Sequence, residues 1–209
     1  MNPNDETFKT WDNIASIYQE KFMDMDVYNK TYDYICATVS KPKAKLLEIG
    51  CGPGNITKYL LAKRPDFDIF GIDIAPNMIA LAKQNNPTAR FSVMDTRHIG
   101  KLTTTYDGIV GGFCLPYLSQ KESKELIFSA YKLLNKSGLL YLSFVVGNPA
   151  DSGFKVGSGG RVYFNFHNLD EIKKQLTEAH FKEIETVGID YKISENEYDV
   201  HTVITAKKK

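Results

Sequence analysis

The stretch from Leu46 to Asn55 reads LLEIGCGPGN, an apolar run that ends in an acid, Glu48, and then sets glycines at alternate positions, Gly50, Gly52 and Gly54. Glycines at that spacing let the chain turn sharply and bring bare backbone against a ligand with no Cβ in the way, and Pro53 suits the first position of a following helix. Backbone of this kind serves nucleotides, and the spacing sorts the nucleotide classes. A P-loop needs a Gly-Lys-Ser/Thr ending that is missing here, and a dinucleotide fingerprint wants its third glycine where this chain has Asn55. An adenosyl ligand without phosphates fits better. Further along, Asp73 and Asp95 each close a short apolar stretch, and Tyr117 and His167 are side chains able to act as acid or base.

Such residues need elements to place them. From Lys45 onward the pattern alternates: KLLEIG, DIFGID, ARFSVMD, YDGIVGG and GLLYLSFVV read as strands, and Ile56 to Leu60, Pro76 to about Gln84 and Leu126 to Leu134 as helix faces. Ser119 to Glu122 forms a capping box, and Asn168 with Glu171 caps a later helix. Two more strands are expected near Lys182 to Tyr191 and Asp199 to Ala206. Alternating strands and helices build right-handed crossovers and a doubly wound, mostly parallel sheet, whose ligands lie at the carboxyl ends of the strands. Ahead of this core, Phe8, Trp11, Ala15, Tyr18 and Phe22 recur at spacings of three and four, one stripe of an amphipathic helix, and a second helix is expected from Val27 to Val39. Gly147 to Gly160, rich in Gly and Ser, is expected to be a mobile loop.

The chain has 209 residues, which suits a single domain: a helical lid over 1–40 and a core over 41–209. Lys and Arg number 26 against 25 Asp and Glu, so a net charge of +1 supplies no global field to draw nucleic acid or a membrane. The longest apolar run, around Leu139 to Val146, is too short to span a bilayer, and a soluble cytoplasmic protein is expected. Cys36, Cys51 and Cys114 are scattered without CxxC spacing, which argues against a disulfide framework or a zinc site; no metal is expected.

Taken together, the motifs resemble the class I S-adenosylmethionine-dependent methyltransferases, in particular the small-molecule branch. Glu48 to Gly54 is similar to that family's E/DxGxGxG motif, Gly71 to Met78 to its second motif, Met94 to Thr96 to its third, and Leu133 to Leu139 to its turn into strand five. The resemblance implies a Rossmann-like seven-stranded sheet with an antiparallel last strand and an N-terminal helical cap, and S-adenosyl-L-methionine as cofactor. It implies roles for residues too, each with a structural rival. Asp73 accepts the ribose hydroxyls, or caps the helix that starts at Pro76. Asp95 accepts from the adenine amino group beside the Thr96 backbone, or is a turn acid. Ile74 and Met78 sandwich the adenine, or are core. Glu48 orients the glycine loop or the methionine amino group, or makes a structural hydrogen bond. Cys51 is a small residue of the loop, and Phe113 walls the methionine portion. Tyr18, on the lid helix, reaches the cofactor, or only docks.

Where substrate classes part, after strand four, FCLPY keeps only the end of the D/N-P-P-Y/F motif of amino-directed nucleic-acid enzymes, and Cys114 stands two residues before the proline rather than next to it. A small-molecule acceptor is expected, and no nucleic acid. Tyr117 lines its side of the site or packs in the core; His167 is a general base or a hydrogen-bonded structural histidine. Methyl transfer is an in-line displacement in which positioning and desolvation carry most of the acceleration. A cofactor-binding regulatory subunit without catalysis and an NAD-dependent oxidoreductase are the alternatives. Nothing in the sequence chooses among O, N, S and C acceptors or sets the oligomeric state.

Overall fold

The computed structural model describes residues 3–157, 159–195 and 197–209. Five parallel strands, β1 (Lys45–Ile49), β2 (Asp68–Asp73), β3 (Arg90–Val93), β4 (Tyr106–Gly112) and β5 (Leu134–Val145), alternate with the helices α4 (Asn55–Lys63), α5 (Pro76–Asn85) and α6 (Gln120–Leu133). After α7 (Leu169–Glu178) come the long strands β8 (Phe181–Ser194) and β9 (Glu197–Lys208). The order across the seven-stranded sheet is β3-β2-β1-β4-β5-β9-β8. β9 runs antiparallel to both neighbours, so the last strand is inserted between β5 and β8.

The central strands β1, β4 and β5 are buried on both faces, as a parallel sheet covered by helices must be, whereas the edge strands β3 and β8 are largely exposed. Successive side chains point to opposite faces, which divides each strand between two cores. Leu47, Ile49, Ile72, Ile109, Leu140 and Leu142 pack with α6 and α7 on one side. Leu46, Ile69, Val110, Tyr141 and Val203 pack on the other with α4 and α3 (Asn29–Thr38). The order reverses at β1, which lies between β2 and β4, and the loops leaving β1 and β4 turn to opposite faces and open a crevice.

Two expectations about the cover of that crevice change. The N-terminal stripe is carried by two helices, α1 (Pro3–Asn13) and α2 (Ala15–Phe22), broken at Ile14, which has non-helical ψ of 15°. The segment from Gly147 to Gly160, of which Ser158 lies outside the described residues, carries secondary structure where a loop was expected. It makes a short turn at Pro149–Asp151 and then enters a hairpin of β6 (Gly153–Gly157) and β7 (Gly160–Phe164), separate from the main sheet.

Contacts with α1 hold the hairpin in place. Thr10 Oγ1 donates to the Arg161 carbonyl at 2.9 Å, the Tyr163 N–H donates to Thr7 Oγ1 at 2.8 Å, and Arg161 pairs with Glu6. Gly159 allows the approach, because a Cβ there would meet Ile14 Cγ2 at 2.0 Å. At Gly159 the missing side chain thus permits the close packing of the hairpin on Ile14. Among the described residues, no helix is long and apolar enough to cross a membrane.

Candidate active site

A cavity of about 140 Å³ lies at the carboxyl ends of β1, β2, β3 and β4. Its first wall is built from the strand ends: Gly50 and Gly52, Asp73 and Ile74, Met78 from the first turn of α5, Asp95 and Thr96 after β3, and Gly112 and Phe113 at the tip of β4. Its second wall is the cover: Asn4, Thr7, Phe8 and Trp11 from α1 and Tyr18 from α2, with Tyr117 and Leu118 between the two walls.

Gly50 and Gly52 turn through the left-handed region, at φ of 64° and 53°. Helix α4 then starts at Asn55 with Gly54 as its N-cap at φ 82°, so Pro53 lies in the turn and not at the first helical position expected. A Cβ on Gly54 would meet Asn86 Nδ2 at 2.4 Å. Gly54 therefore shapes the turn and does not line the cavity. Nor does Cys51, which is buried beneath the loop, its thiol pushed up by burial.

Asp73 ties the loop to β2. Its Oδ2 accepts the Gly52 N–H and its Oδ1 the Ala75 N–H, both at 2.9 Å. The N-cap of α5 is Ala75 and no side chain caps that helix, so Asp73 braces the glycine loop instead of filling the rival capping role. Burial raises the Asp73 carboxyl above its ordinary value, and the two N–H groups work against that rise. Each oxygen keeps a further lone pair for a ligand.

Asp95 combines both of its expected geometries: it lines the cavity, and it caps the turn Thr96–Lys101 by accepting the Arg97 N–H at 2.9 Å. Burial pushes its carboxyl up, but the Arg97 hydrogen bonds outweigh this and hold it below the usual range. Arg97 also reaches Glu122, at 3.4 Å.

Glu48 does not reach the cavity. It is 2% exposed under the glycine loop, where Thr57 Oγ1 of α4 donates to its Oε2, and burial pushes its pKa up to about 8. The rival reading, a structural hydrogen bond between β1 and α4, describes its place. His167 is a second correction. It is fully buried outside the cavity, with Nε2 at 2.8 Å from the Leu115 carbonyl, and burial lowers its pKa. There it braces the turn Leu115–Tyr117 and has no route to a ligand proton.

Tyr117 lines the cavity edge-on to Trp11, with ring centroids 5.6 Å apart. Burial drives its phenol far above the ordinary value, as it does for Tyr18, where Asp73 adds to the effect. Both stay neutral near pH 7 and can donate a hydrogen bond, but neither is poised as a base. Ile74 stands in the cavity as an exposed side chain, whereas Met78 is buried with Ala15 against Phe8, Trp11 and Tyr18. Phe113 holds φ of 55°, unusual for a bulky residue; Ser143 anchors its N–H through both carbonyl and Oγ at 3.1 Å.

Sequence reasoning missed Arg97, Asn4, Thr7 and Leu118, and read Phe8 and Trp11 only as a docking stripe. Arg97 had one signal, an arginine two positions after the third-strand acid.

Fold and crevice define the class: a Rossmann-like methyltransferase fold. Residues 46–138 match the family described as "Methyltransferase domain", which bears out the resemblance carried by the motifs in that segment. An "Uncharacterized methyltransferase" from Alkaliphilus oremlandii is 28% identical over 66% of this chain and 64% of its own length. The chain thus spans less than two thirds of this and the other leading curated relatives. Among solved structures, magnesium protoporphyrin IX methyltransferase (ChlM) from Synechocystis PCC 6803 with bound SAM aligns over 100% of this chain and 98% of its own, at TM-score 0.73 and 16% identity. N-methyltransferase NodS from Bradyrhizobium japonicum WM9, in complex with S-adenosyl-L-homocysteine, aligns over 97% of this chain and 98% of its own, at TM-score 0.70 and 20% identity.

Proposed function

We propose that the protein is an S-adenosylmethionine-dependent methyltransferase acting on a small-molecule acceptor in the cytoplasm. One observation carries this reading. At the switch point of the sheet an apolar side chain, Ile74, is 37% exposed between two carboxylates, Asp73 and Asp95, beside a left-handed glycine turn. Exposed apolar surface flanked by acceptors suits adenosine, whose ring needs an apolar face and whose amino and ribose hydroxyl groups need acceptors.

In this reading Asp73 accepts the ribose hydroxyls while it braces Gly52, and Asp95 with the Thr96 backbone holds the adenine edge. Ile74 and Met78 flank the ring. Gly50 and Gly52 lie along the methionine portion, with Tyr18 and Phe113 closing it in. The bound cofactor supplies a methyl group on a sulfonium centre that needs no acid to leave. The chain's residues hold the acceptor in line and exclude water. Calorimetric titration tests the assignment: S-adenosylhomocysteine binds, and at about a hundred times its dissociation constant it stabilises the fold by roughly 2.7 kcal/mol. Binding of NAD without binding of S-adenosylhomocysteine overturns it.

A further inference from the structure

We infer that the methyl acceptor is an uncharged aromatic or heteroaromatic amine, and that carboxylate and phosphate acceptors are rejected; this rests on the methyltransferase reading above. Three features of the cavity lead there.

The first is ring surface. Phe8, Trp11, Tyr18, Phe113 and Tyr117 all line the cavity. Trp11 stands edge to face with Tyr18 at 5.5 Å and with Tyr117 at 5.6 Å, so the cover presents aromatic edges and faces to whatever enters. A planar ring meets such walls by stacking or edge contact.

The second is charge. Among the described residues that line the cavity, the charged ones are Asp73, Asp95 and Arg97. Arg97 is engaged by Asp95 and Glu122, and Asp12 stands at the entrance to α5, where its carboxylate accepts the Asn77 N–H at 2.8 Å. With Asp73 and Asp95 given to the cofactor and Arg97 paired with two carboxylates, an acid entering the cavity meets no cation free among the described lining residues, and its charge stays unpaired. A positive charge growing on the acceptor meets the ring faces of the cover instead.

The third is the proton. Tyr18 and Tyr117 are neutral phenols, Asp73 is bound by the Gly52 and Ala75 N–H groups and Asp95 by Arg97, Glu48 lies under the loop, and His167 is bonded to the Leu115 carbonyl. An alcohol or an alkylammonium needs a base before it can attack, whereas an aromatic amine holds a free lone pair at neutral pH. That pair forms the N–C bond to the methyl carbon as the S–C bond breaks with its electrons left on sulfur, and the N–H proton then passes to water.

Binding measured with S-adenosylhomocysteine saturating tests the inference without relying on turnover. The probes are 6-aminoquinoline and quinoline-6-carboxylate, which share a ring and differ in charge. The amine is expected to bind at least about tenfold tighter. In Asn4→Lys, which adds a cation to the cavity wall, the gap narrows because the carboxylate gains. Equal or tighter binding of the carboxylate to the unmodified protein overturns the inference, and so does failure of both quinolines to bind while S-adenosylhomocysteine does. Failure of S-adenosylhomocysteine itself is a separate result that removes the methyltransferase reading and this inference with it.

Discussion

The two walls of the cavity are held by different forces. The strand-end wall grows out of the buried sheet, where Leu47, Ile49, Ile72 and Ile109 are fully buried on one face and parallel register fixes each loop. The cover is attached by a small apolar patch, Ala15 and Met78 with Phe8, Trp11 and Tyr18 around them, and by single polar contacts. Asp12 accepts from Asn77 at the start of α5, Asn85 donates to Gln19, and Thr7, Thr10 and Glu6 secure the hairpin. Cooperative burial holds the cradle, whereas a small apolar patch and a few polar bonds, most of them half-buried, hold the cover. Under the proposed function, this difference assigns binding strength to the sheet and access to the cover, and the experiments below test that assignment.

Removing the cover should produce the largest effect. A chain lacking residues 1–23 is expected to keep its sheet, read by circular dichroism, and to lose methyl transfer by about a thousandfold, because in-line positioning and water exclusion both go. A folded truncation with full turnover would erase the contrast between the walls.

The cradle has a pH signature of its own. Glu48 titrates near 8 in the folded chain against an ordinary 4.5, so the folded state holds a proton that the unfolded state has released. Its contribution is complete below about pH 4.5 and is lost as pH rises through 8. Urea unfolding at pH 5.5 and pH 8 should show stability falling by on the order of 3 kcal/mol from this group, and Glu48→Gln should flatten the slope by that amount. Parallel slopes in the two proteins would mean that Glu48 is ionised in its pocket.

Within the same wall, Asp73→Ala should weaken S-adenosylhomocysteine binding by about 1.5–3 kcal/mol, through lost hydrogen bonds to a charged acceptor and a loosened Gly52. Cys51→Ala, beneath the loop, should change it little. Equal losses would place the ribose elsewhere. The smallest effect belongs to the cover: Thr10→Val removes the bond to the Arg161 carbonyl, costs about 1 kcal/mol, and should speed proteolysis at the hairpin turn between Gly157 and Gly160. Unchanged cleavage would show that the hairpin holds without α1.

What could be read from the sequence follows this same division. The glycine turn, Asp73 and Asp95 were legible because a strand, its turn and the next helix are consecutive residues, and hydrophobic period with glycine spacing specifies that local geometry. The antiparallel direction of the last strand followed from the family resemblance and from nothing in the strand itself, and its insertion between β5 and β8 came from the structure alone. The alternatives for Glu48 and His167 stayed open for another reason. An acid before a glycine loop and a histidine after an aromatic strand look alike whether they face a ligand or a neighbour, and only packing put Glu48 on Thr57 and His167 on the Leu115 carbonyl.

The cover was decided by tertiary structure alone. Thr10 and Arg161 are 151 positions apart, and nothing in the Gly- and Ser-rich stretch reveals that α1 lies ready to receive it as a hairpin. Local chemistry determined the cradle, because each of its parts is short in sequence. Contacts between distant segments determined which rings close the cavity from above, because Phe8, Trp11 and Tyr18 depend on where α1 and α2 come to rest.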